Sequence, residues 1–346
     1  MKKLYFICPN NNHITGGVKQ IYRQVEFLNK HGIPSYILQE KITKNNWFNS
    51  DIPIKYSPYI FKLLRYLFED RRITFRKKLK LSYLKKISEK INKDSVLVFP
   101  EIYGSRINEI LPNIPKVIFN QGCYLTFNGF SINKNYPQNP YNHKDTIATI
   151  VASDDALSYM NYAFPNTKTY KITLGINHSI FNYSDKKQKQ ICFMPRKLME
   201  DARQVILILK LRKNLKDWKF IPIENKNEKE VAQIMKESAF FLNFNRCEGF
   251  GLPAAEAMAC GCYVIGYHGQ GGKEYFKPEF SSIVESGDII QYVNEIEKIA
   301  KIYDKSPNLI LEKGKQASNF ILSNYSMKME EKSSIDVWRK ILDIYI

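Results

Sequence analysis

"AFFLNFNRCEGFGLPAAEAMACGCYVIGY", residues 239–267, decides the fold. The apolar, aromatic run "AFFLNF" has the length of a buried strand. A polar loop with two glycines follows, and Pro253 suits the first position of a helix, where a missing N–H costs nothing. "PAAEAMAC" reads as that helix and "YVIGY" as the next strand. Strand, loop, helix and strand in succession are the repeating unit of a parallel α/β sheet. Gly249 and Gly251 let the backbone approach a ligand closely. The unpaired amides of the helix start form an anion site. Glu248 stands just before that start and Glu256 about one turn inside it. Carboxylates beside a phosphate site are misplaced unless the ligand also carries hydroxyls, because a carboxylate accepts from two vicinal OH groups. A ligand with phosphates and sugar diols is a nucleotide sugar. For Glu256 taken alone, simple compensation of the helix dipole remains an alternative.

The same alternation extends in both directions. "LYFIC", "PNNNHITGG", "VKQIYRQVEFLNKHG" and "IPSYIL" read as strand, loop, helix and strand. Val18, Ile21, Tyr22, Val25 and Leu28 have helical spacing, and Gly32 can cap the end. Further strands are expected at 95–100, 116–120, 146–153 and 168–174, with a helix at "DDALSYMNYAF" between the last two. The polar segment 182–190 reads as a linker, after which a second alternation begins at "ICFMP" (191–195). Three helical stretches close the chain, at about 288–303, 308–323 and 328–345. The expectation is two successive Rossmann-like, doubly wound units, each long enough in this 346-residue chain to bury its own core.

Composition narrows the function classes. Apolar content of 44% with 25% charged residues fits a soluble globular protein, and no apolar run is long enough to span a bilayer. "MKKLYFICPN" has too short an apolar core for a signal segment and reads as the first strand. Six cysteines without CxxC spacing argue against zinc or a disulfide framework and fit a reducing cytoplasm. The net charge of +18 is concentrated in the first half. Residues 1–182 carry 26 Lys and Arg against 12 Asp and Glu, whereas the remainder carries 26 against 22. Lys62–Lys93 alone holds 12 basic and 3 acidic residues, a patch that attracts an anionic partner. Ile60, Leu64, Leu67 and Phe68 share one helical face there, so residues 60–93 suggest an anionic membrane surface, with a core-packed helix and a solvated basic exterior as the alternative.

Glu248-x7-Glu256, within "EGFGLPAAEAMACG", resembles the signature of the family 4 retaining glycosyltransferases of GT-B fold. "GGVKQIYRQVEFLNKHG" is similar to that family's first glycine loop and helix, "ITLGINHSIF" (172–181) to the stretch before its linker, and "GYHGQGGKEYF" (266–276) to the loop after the signature. The resemblance implies an α/β GT-B architecture, two Rossmann-like domains facing across a cleft. It places an acceptor-binding domain at 1–182, a nucleotide-sugar-binding domain at 183–327 and a C-terminal helix, 328–346, crossing back to the first domain. It further implies Glu248 at the reacting face of the donor sugar and Glu256 on the ribose diol. Phe250, Gly251 and Leu252 would line the donor, and Gly271 and Gly272 would offer backbone donors near sugar and phosphates. The family's diphosphate-binding arginine corresponds to Arg196. Its lysine, five positions on, is replaced here by Asp201, so Lys197 or Arg203 stands in. Gly16 and Gly17 would bring amides to the phosphates or sugar from the first domain.

Asn120 and Gln121, on a loop where relatives often carry a histidine, are expected to hydrogen-bond sugar hydroxyls, and Glu101 to touch acceptor or donor, with loop packing as its alternative. His13, His143 and His178 read as surface or loop residues. No metal constellation is visible, and "SDD" (153–155) reads as a helix cap. No cofactor or metal is therefore expected. The implied reaction is transfer of a sugar from a nucleotide diphosphate, with retention, to a glycan or lipid-linked acceptor in bacterial surface polysaccharide or lipopolysaccharide synthesis. The implied location is cytoplasmic and peripheral to the inner membrane, with no nucleic-acid partner. Competing readings are an epimerase or phosphorylase of the same fold, a basic nucleic-acid-binding protein and a non-catalytic glycan-binding relic. A dehydrogenase is disfavoured because no GxGxxG follows the first strand.

Overall fold

The computed structural model describes residues 2–10, 15–42, 51–135 and 139–343. His13 lies outside them. The chain divides into two compact units, one of Met1–Ala152, Ala156–Ile172 and Glu331–Ile346, the other of Ser153–Asp155 and Thr173–Glu330.

The first unit contains β1 (Leu4–Ile7), α1 (Gly16–Lys30), β2 (Ser35–Gln39), β3 (Ile54–Tyr56), α2 (Pro58–Phe68), α3 (Phe75–Ile87), β4 (Val96–Pro100), β5 (Lys116–Asn120), β6 (Thr146–Val151), most of α4 (Asp154–Ala163) and β7 (Thr169–Lys171). Its strands form one parallel sheet in the order β3-β2-β1-β4-β5-β6-β7. Thr15 caps α1 by accepting from the Val18 N–H at 3.4 Å. The five apolar positions expected along α1 are all buried. One core layer joins Tyr5, Ile7, Leu97, Phe99 and Ile118 to Ile60, Leu64 and Leu67 of α2.

That layer corrects the expectation for α2. Ile60, Leu64 and Leu67 are 1%, 3% and 5% exposed, so three of the four residues expected to face a membrane are core instead, while Phe68 is 44% exposed. Helical spacing marks an apolar face but does not say what covers it.

The second unit contains β8 (Gln188–Phe193), α5 (Met199–Arg212), β9 (Lys219–Pro222), α6 (Glu228–Glu237), β10 (Ser238–Asn243), α7 (Leu252–Ala259), β11 (Tyr263–Gly266), β12 (Ser281–Ile283), α8 (Ile289–Lys305) and α9 (Pro307–Asn324). Its parallel sheet runs β12-β11-β10-β8-β9. Ile191, Phe240, Leu242, Ile265, Tyr292 and Ile296 form its core.

The last helix, α10 (Met327–Asp343), belongs to the first unit from Glu331 onward. Within that unit the fully buried Trp338 ring lies edge-on to Phe6 at 5.5 Å. Its indole N–H donates to Gln24 at 3.0 Å, and the Gln24 amide donates to Ser334 at 2.9 Å.

Two boundaries differ from the sequence expectation. Residues 173–182 fall in the second unit, not the first. The Gly175 N–H donates to the buried Glu330 carboxylate at 2.7 Å, and Ile176 bridges to Ser326. The expected linker 182–190 is also partly sheet, since β8 begins at Gln188. The Lys187 ammonium donates to the Cys260 and Met235 carbonyls at 2.8 and 3.0 Å. A polar stretch looks like a linker in sequence because long-range carbonyl partners leave no local trace.

Candidate functional site

In the second sheet β9 lies on one side of β8 and β10 on the other, so the direction of winding reverses between β8 and β10. Loops leaving neighbouring strand ends part at such a reversal and open a crevice there. Lys197 follows β8 and Glu248 follows β10, and their side chains form an ion pair. The Glu248 carboxylate is mostly covered, while the Lys197 ammonium is half-exposed. Arg196, beside it, is exposed.

The loop after β11 fixes the loop after β10. The Glu248 N–H donates to the Gly269 carbonyl at 2.8 Å, and the Gly271 N–H donates to the Glu248 carbonyl at 3.3 Å. A Cβ on Gly271 would collide with the Gly249 carbonyl, so glycine is required for this approach. The Gly272 N–H donates to the His268 carbonyl at 3.0 Å. Both glycine amides, expected to face a ligand, are thus engaged inside the protein. Their role in this conformation is to dock one loop on the other.

Gly251 precedes α7 with φ +88°, in the left-handed region, and a Cβ there would lie 2.7 Å from the Tyr275 hydroxyl. That hydroxyl donates to the Gly251 carbonyl at 2.7 Å, with the Phe250 carbonyl 3.0 Å away. No side chain caps α7; Pro253 has no N–H to offer and the Ala254 N–H donates to the Gly251 carbonyl at 3.2 Å, so a ligand or water at this end meets chiefly the Leu252 amide and the end of the helix dipole. Burial pushes the Tyr275 phenol well above its ordinary pKa, and the charges of Glu248, Glu274 and Glu256 add to the effect. Both signature carboxylates therefore act on one buried hydroxyl at the foot of α7, and Glu256 itself is half-buried. Phe250, expected to line the donor, is 3% exposed and packs on Tyr275 and Tyr325 with ring centroids 5.2 Å apart in each case. Its ring supports the loop from beneath.

Asp201, at the position of the family's lysine, is mostly buried. It accepts from the Arg246 guanidinium at 3.1 Å and from the Tyr267 hydroxyl at 3.0 Å. Arg246, half-exposed, lies in the same loop as Glu248 and went unnoticed in the sequence reading. Its only signal there was its place two residues before Glu248. Arg203, the other expected substitute, pairs with Glu200 one turn away on α5 at 3.2 Å.

In the first unit the sheet reverses between β1 and β4. Gly16 and Gly17 begin α1, exposed, after β1. The Gln121 amide, following β5, donates to the Gly17 carbonyl at 3.1 Å. Glu101, following β4, accepts from the Gln121 N–H at 3.1 Å. Glu101 is 7% exposed, and burial pushes its carboxyl up to about 7 against the pull of the Gln121 and Gly122 amides. It positions the Gln121 loop and is not presented to a ligand, which is the loop-packing alternative. Asn120 is fully buried, and its amide donates to Thr126 at 2.7 Å and to Tyr141 at 3.0 Å, so the expected contact with sugar hydroxyls is corrected. The Asn120 amide thus turns inward to buried partners in reach, while its Oδ1 is buried with no hydrogen-bond partner among the described residues.

Among the described residues no group of three or more His, Cys, Asp or Glu is arranged to hold a metal ion. No helix among them is long and apolar enough to cross a membrane.

Residues 198–317 match the model of the family described as glycosyl transferases group 1. An "Alpha-1,6-glucosyltransferase" of Actinobacillus pleuropneumoniae serotype 7 (strain AP76) is 46% identical over 50 residues. That match spans 14% of this chain and 15% of the relative. Among solved structures, a sucrose-phosphate synthase from Thermosynechococcus elongatus aligns with a TM-score of 0.63 at 13% identity, over 99% of this chain and 100% of the other. S. aureus TarM, solved with UDP, α-GlcNAc-glycerol and fondaparinux, aligns at 0.66 and 12% identity over 99% of each chain. Anabaena HepE, solved with UDP-glucose, aligns at 0.64 and 11% identity over 98% of this chain and 100% of the other. The chain has the GT-B fold of these neighbours, built of two Rossmann-like units.

Proposed function

We propose that this chain, with its group 1 segment on a GT-B fold, is a retaining glycosyltransferase that uses a nucleotide diphosphate sugar. The observation that carries the proposal is the Lys197–Glu248 pair at the winding reversal, next to an uncapped helix start with Glu256 in its second turn. A cation, a carboxylate and the positive end of a helix at one strand-end crevice suit a diphosphate joined to a sugar.

In this reading Arg196 and Lys197 hold the diphosphate, and the Leu252 amide at the start of α7 faces it. Glu256 accepts hydrogen bonds from the ribose diol, and Glu248 receives the donor sugar. The bond from the anomeric carbon to the phosphate oxygen breaks with its electron pair going to the diphosphate. The fixed cations stabilise that growing charge. The acceptor hydroxyl forms the new bond on the same face and gives its proton to the departing diphosphate oxygen. No metal is required where cations and a helix start already neutralise the leaving group. A nucleotide diphosphate competes with Glu248 for Lys197, so donor binding remakes the resting ion pair.

The acceptor is a glycan or a lipid-linked glycan of a bacterial surface polysaccharide or lipopolysaccharide. The site of action is the cytoplasm, where the free thiols of this chain stay reduced. UDP-glucose is the first donor to test, given the bound UDP-glucose of the HepE neighbour and the glucosyltransferase name of the local relative.

The test is a thermal-shift screen of UDP, GDP, dTDP and CMP with their sugars, followed by single-turnover transfer. At least one nucleotide should raise the melting temperature. If none does while polyanions do, the reading fails. Turnover of nucleotide sugar without acceptor, or dependence on inorganic phosphate, would point instead to the epimerase or phosphorylase reading.

A further inference from the structure

The segment 71–88 carries eight Lys and Arg residues and no acidic residue. Within it, α3 is anchored by Leu81, which is 8% exposed. The other side of the helix is unusual. Phe75, Leu79, Tyr83 and Ile87 follow one another at intervals of four, and they are 74%, 57%, 63% and 56% exposed. At about 100° per residue these four form one outward stripe roughly 120° wide. Arg76 and Lys86 fall within the stripe, and Lys80 borders it. A solvated basic helix would hold polar residues there, since large exposed apolar side chains in a continuous row mark an interaction face.

The placement of charge also costs the helix something. Arg76, Lys77 and Lys78 occupy the first turn, where the helix dipole disfavours cations, and Thr74 provides no side-chain cap. An anionic surface would offset both features at once.

We propose that the outward face of α3 docks on an anionic phospholipid bilayer. Phe75, Leu79, Tyr83 and Ile87 enter the boundary between headgroups and acyl chains, and Arg76, Lys78, Lys80 and Lys86 reach the phosphates. Long basic side chains can lay their apolar stems along such a surface while the charge stays in water. A nucleic-acid backbone would satisfy the cations but leave the four apolar side chains in water. A second copy of this chain would bring the same eight cations against each other. The stripe is on α3, not on the α2 face that the sequence suggested, and the proposal is independent of the transfer reaction.

The experiment is sedimentation of the full chain with vesicles of phosphatidylcholine containing roughly 30 mol% phosphatidylglycerol, an anionic fraction that sets up a negative surface potential. Wild-type protein should bind these at least about tenfold more tightly than pure phosphatidylcholine vesicles, with binding weakened by added salt. The combined Phe75→Ser, Leu79→Ser, Tyr83→Ser and Ile87→Ser variant should lose at least about tenfold in binding while still unfolding cooperatively with only a modest drop in melting temperature, because all four side chains are more than half exposed. The single substitution Tyr83→Trp supplies a second readout with a smaller change. The fluorescence of the introduced indole should shift to the blue on anionic vesicles. Absence of binding to the anionic vesicles would overturn the proposal. So would serine-variant binding equal to wild type, or an indole emission from the Tyr83→Trp variant that bound vesicles leave unmoved. Equal binding of duplex DNA by wild type and the serine variant, with no vesicle binding, would indicate a nucleic-acid partner instead.

Discussion

The Lys197 ammonium is bound to the Glu248 carboxylate, although the two residues lie 51 positions apart and leave the ends of different strands. With both charges present, removing either one leaves the other exposed to a ligand with the wrong complement. Glu248→Gln should lower kcat by about a hundredfold, the size typical of deleting one group that acts on developing charge. Lys197→Met should act mainly on donor affinity, weakening it about tenfold. Steady-state transfer with varied donor separates the two effects. Equal loss of kcat in both variants would contradict the assigned division of roles.

Arg246 is expected to add a third cation for the diphosphate, beside Arg196 and Lys197. One Asp201 carboxylate oxygen accepts from both the Arg246 guanidinium, at 3.1 Å, and the Tyr267 hydroxyl, at 3.0 Å, and so holds the guanidinium in place. Arg246→Ala should weaken nucleotide diphosphate binding by about tenfold, and Arg203→Ala should leave it unchanged, because Arg203 is occupied with Glu200 on an exposed helix face. Calorimetric titration with the diphosphate decides this. Equal effects of the two substitutions would remove Arg246 from the site.

Glu101 makes the stability of the first unit depend on pH. Its carboxyl is raised from 4.5 to about 7, chiefly by burial. The folded state therefore holds a proton that the unfolded state has lost between those values. Stability from this group is complete below pH 4.5 and declines as pH rises through about 7, by at most about 3 kcal/mol. Glu101→Gln should flatten the denaturation midpoint across this window. An unchanged slope in the variant would show that Glu101 is not the titrating group.

Gly271 has no space for a side chain beside the Gly249 carbonyl. Gly271→Ala should separate the two loops at a cost of about 1–3 kcal/mol. Donor-induced thermal stabilisation should fall with it, since Glu248 loses the backbone partner that orients it. A variant with the wild-type melting temperature would mean that the loop shifts freely.

Trp338 ties the last helix to the first unit through Phe6 and Gln24. Trp338→Ala should destabilise the protein by about 3–5 kcal/mol through the cavity it leaves. Chemical denaturation measures this. A loss below about 1 kcal/mol, well under the usual cost of such a cavity, would show that α10 is not part of that core.

Local pattern made the parallel α/β architecture legible. The buried runs of β1, β4, β5, β8, β10 and β11, the helix spacing of α1, the glycines before α7 and the Glu248–Glu256 pair all have short-range signals, because strand and helix periodicity and φ preference act over a few residues. The edge strands β3 and β12 escaped notice, being only three residues each. Sequence alone therefore determined the repeating strand-and-helix order and the glycosyl transferases group 1 likeness, and pointed to the candidate site region. Tertiary structure decided which polar groups face inward and which charges meet. Asn120 and Phe250 turned into the interior, Gly271 spent its amide on Glu248, Arg246 found Asp201, and the outward apolar row proved to lie on α3. The physical reason is that hydrogen bonding, ion pairing and burial depend on partners tens to hundreds of residues away, and a chain read in order carries no record of that proximity.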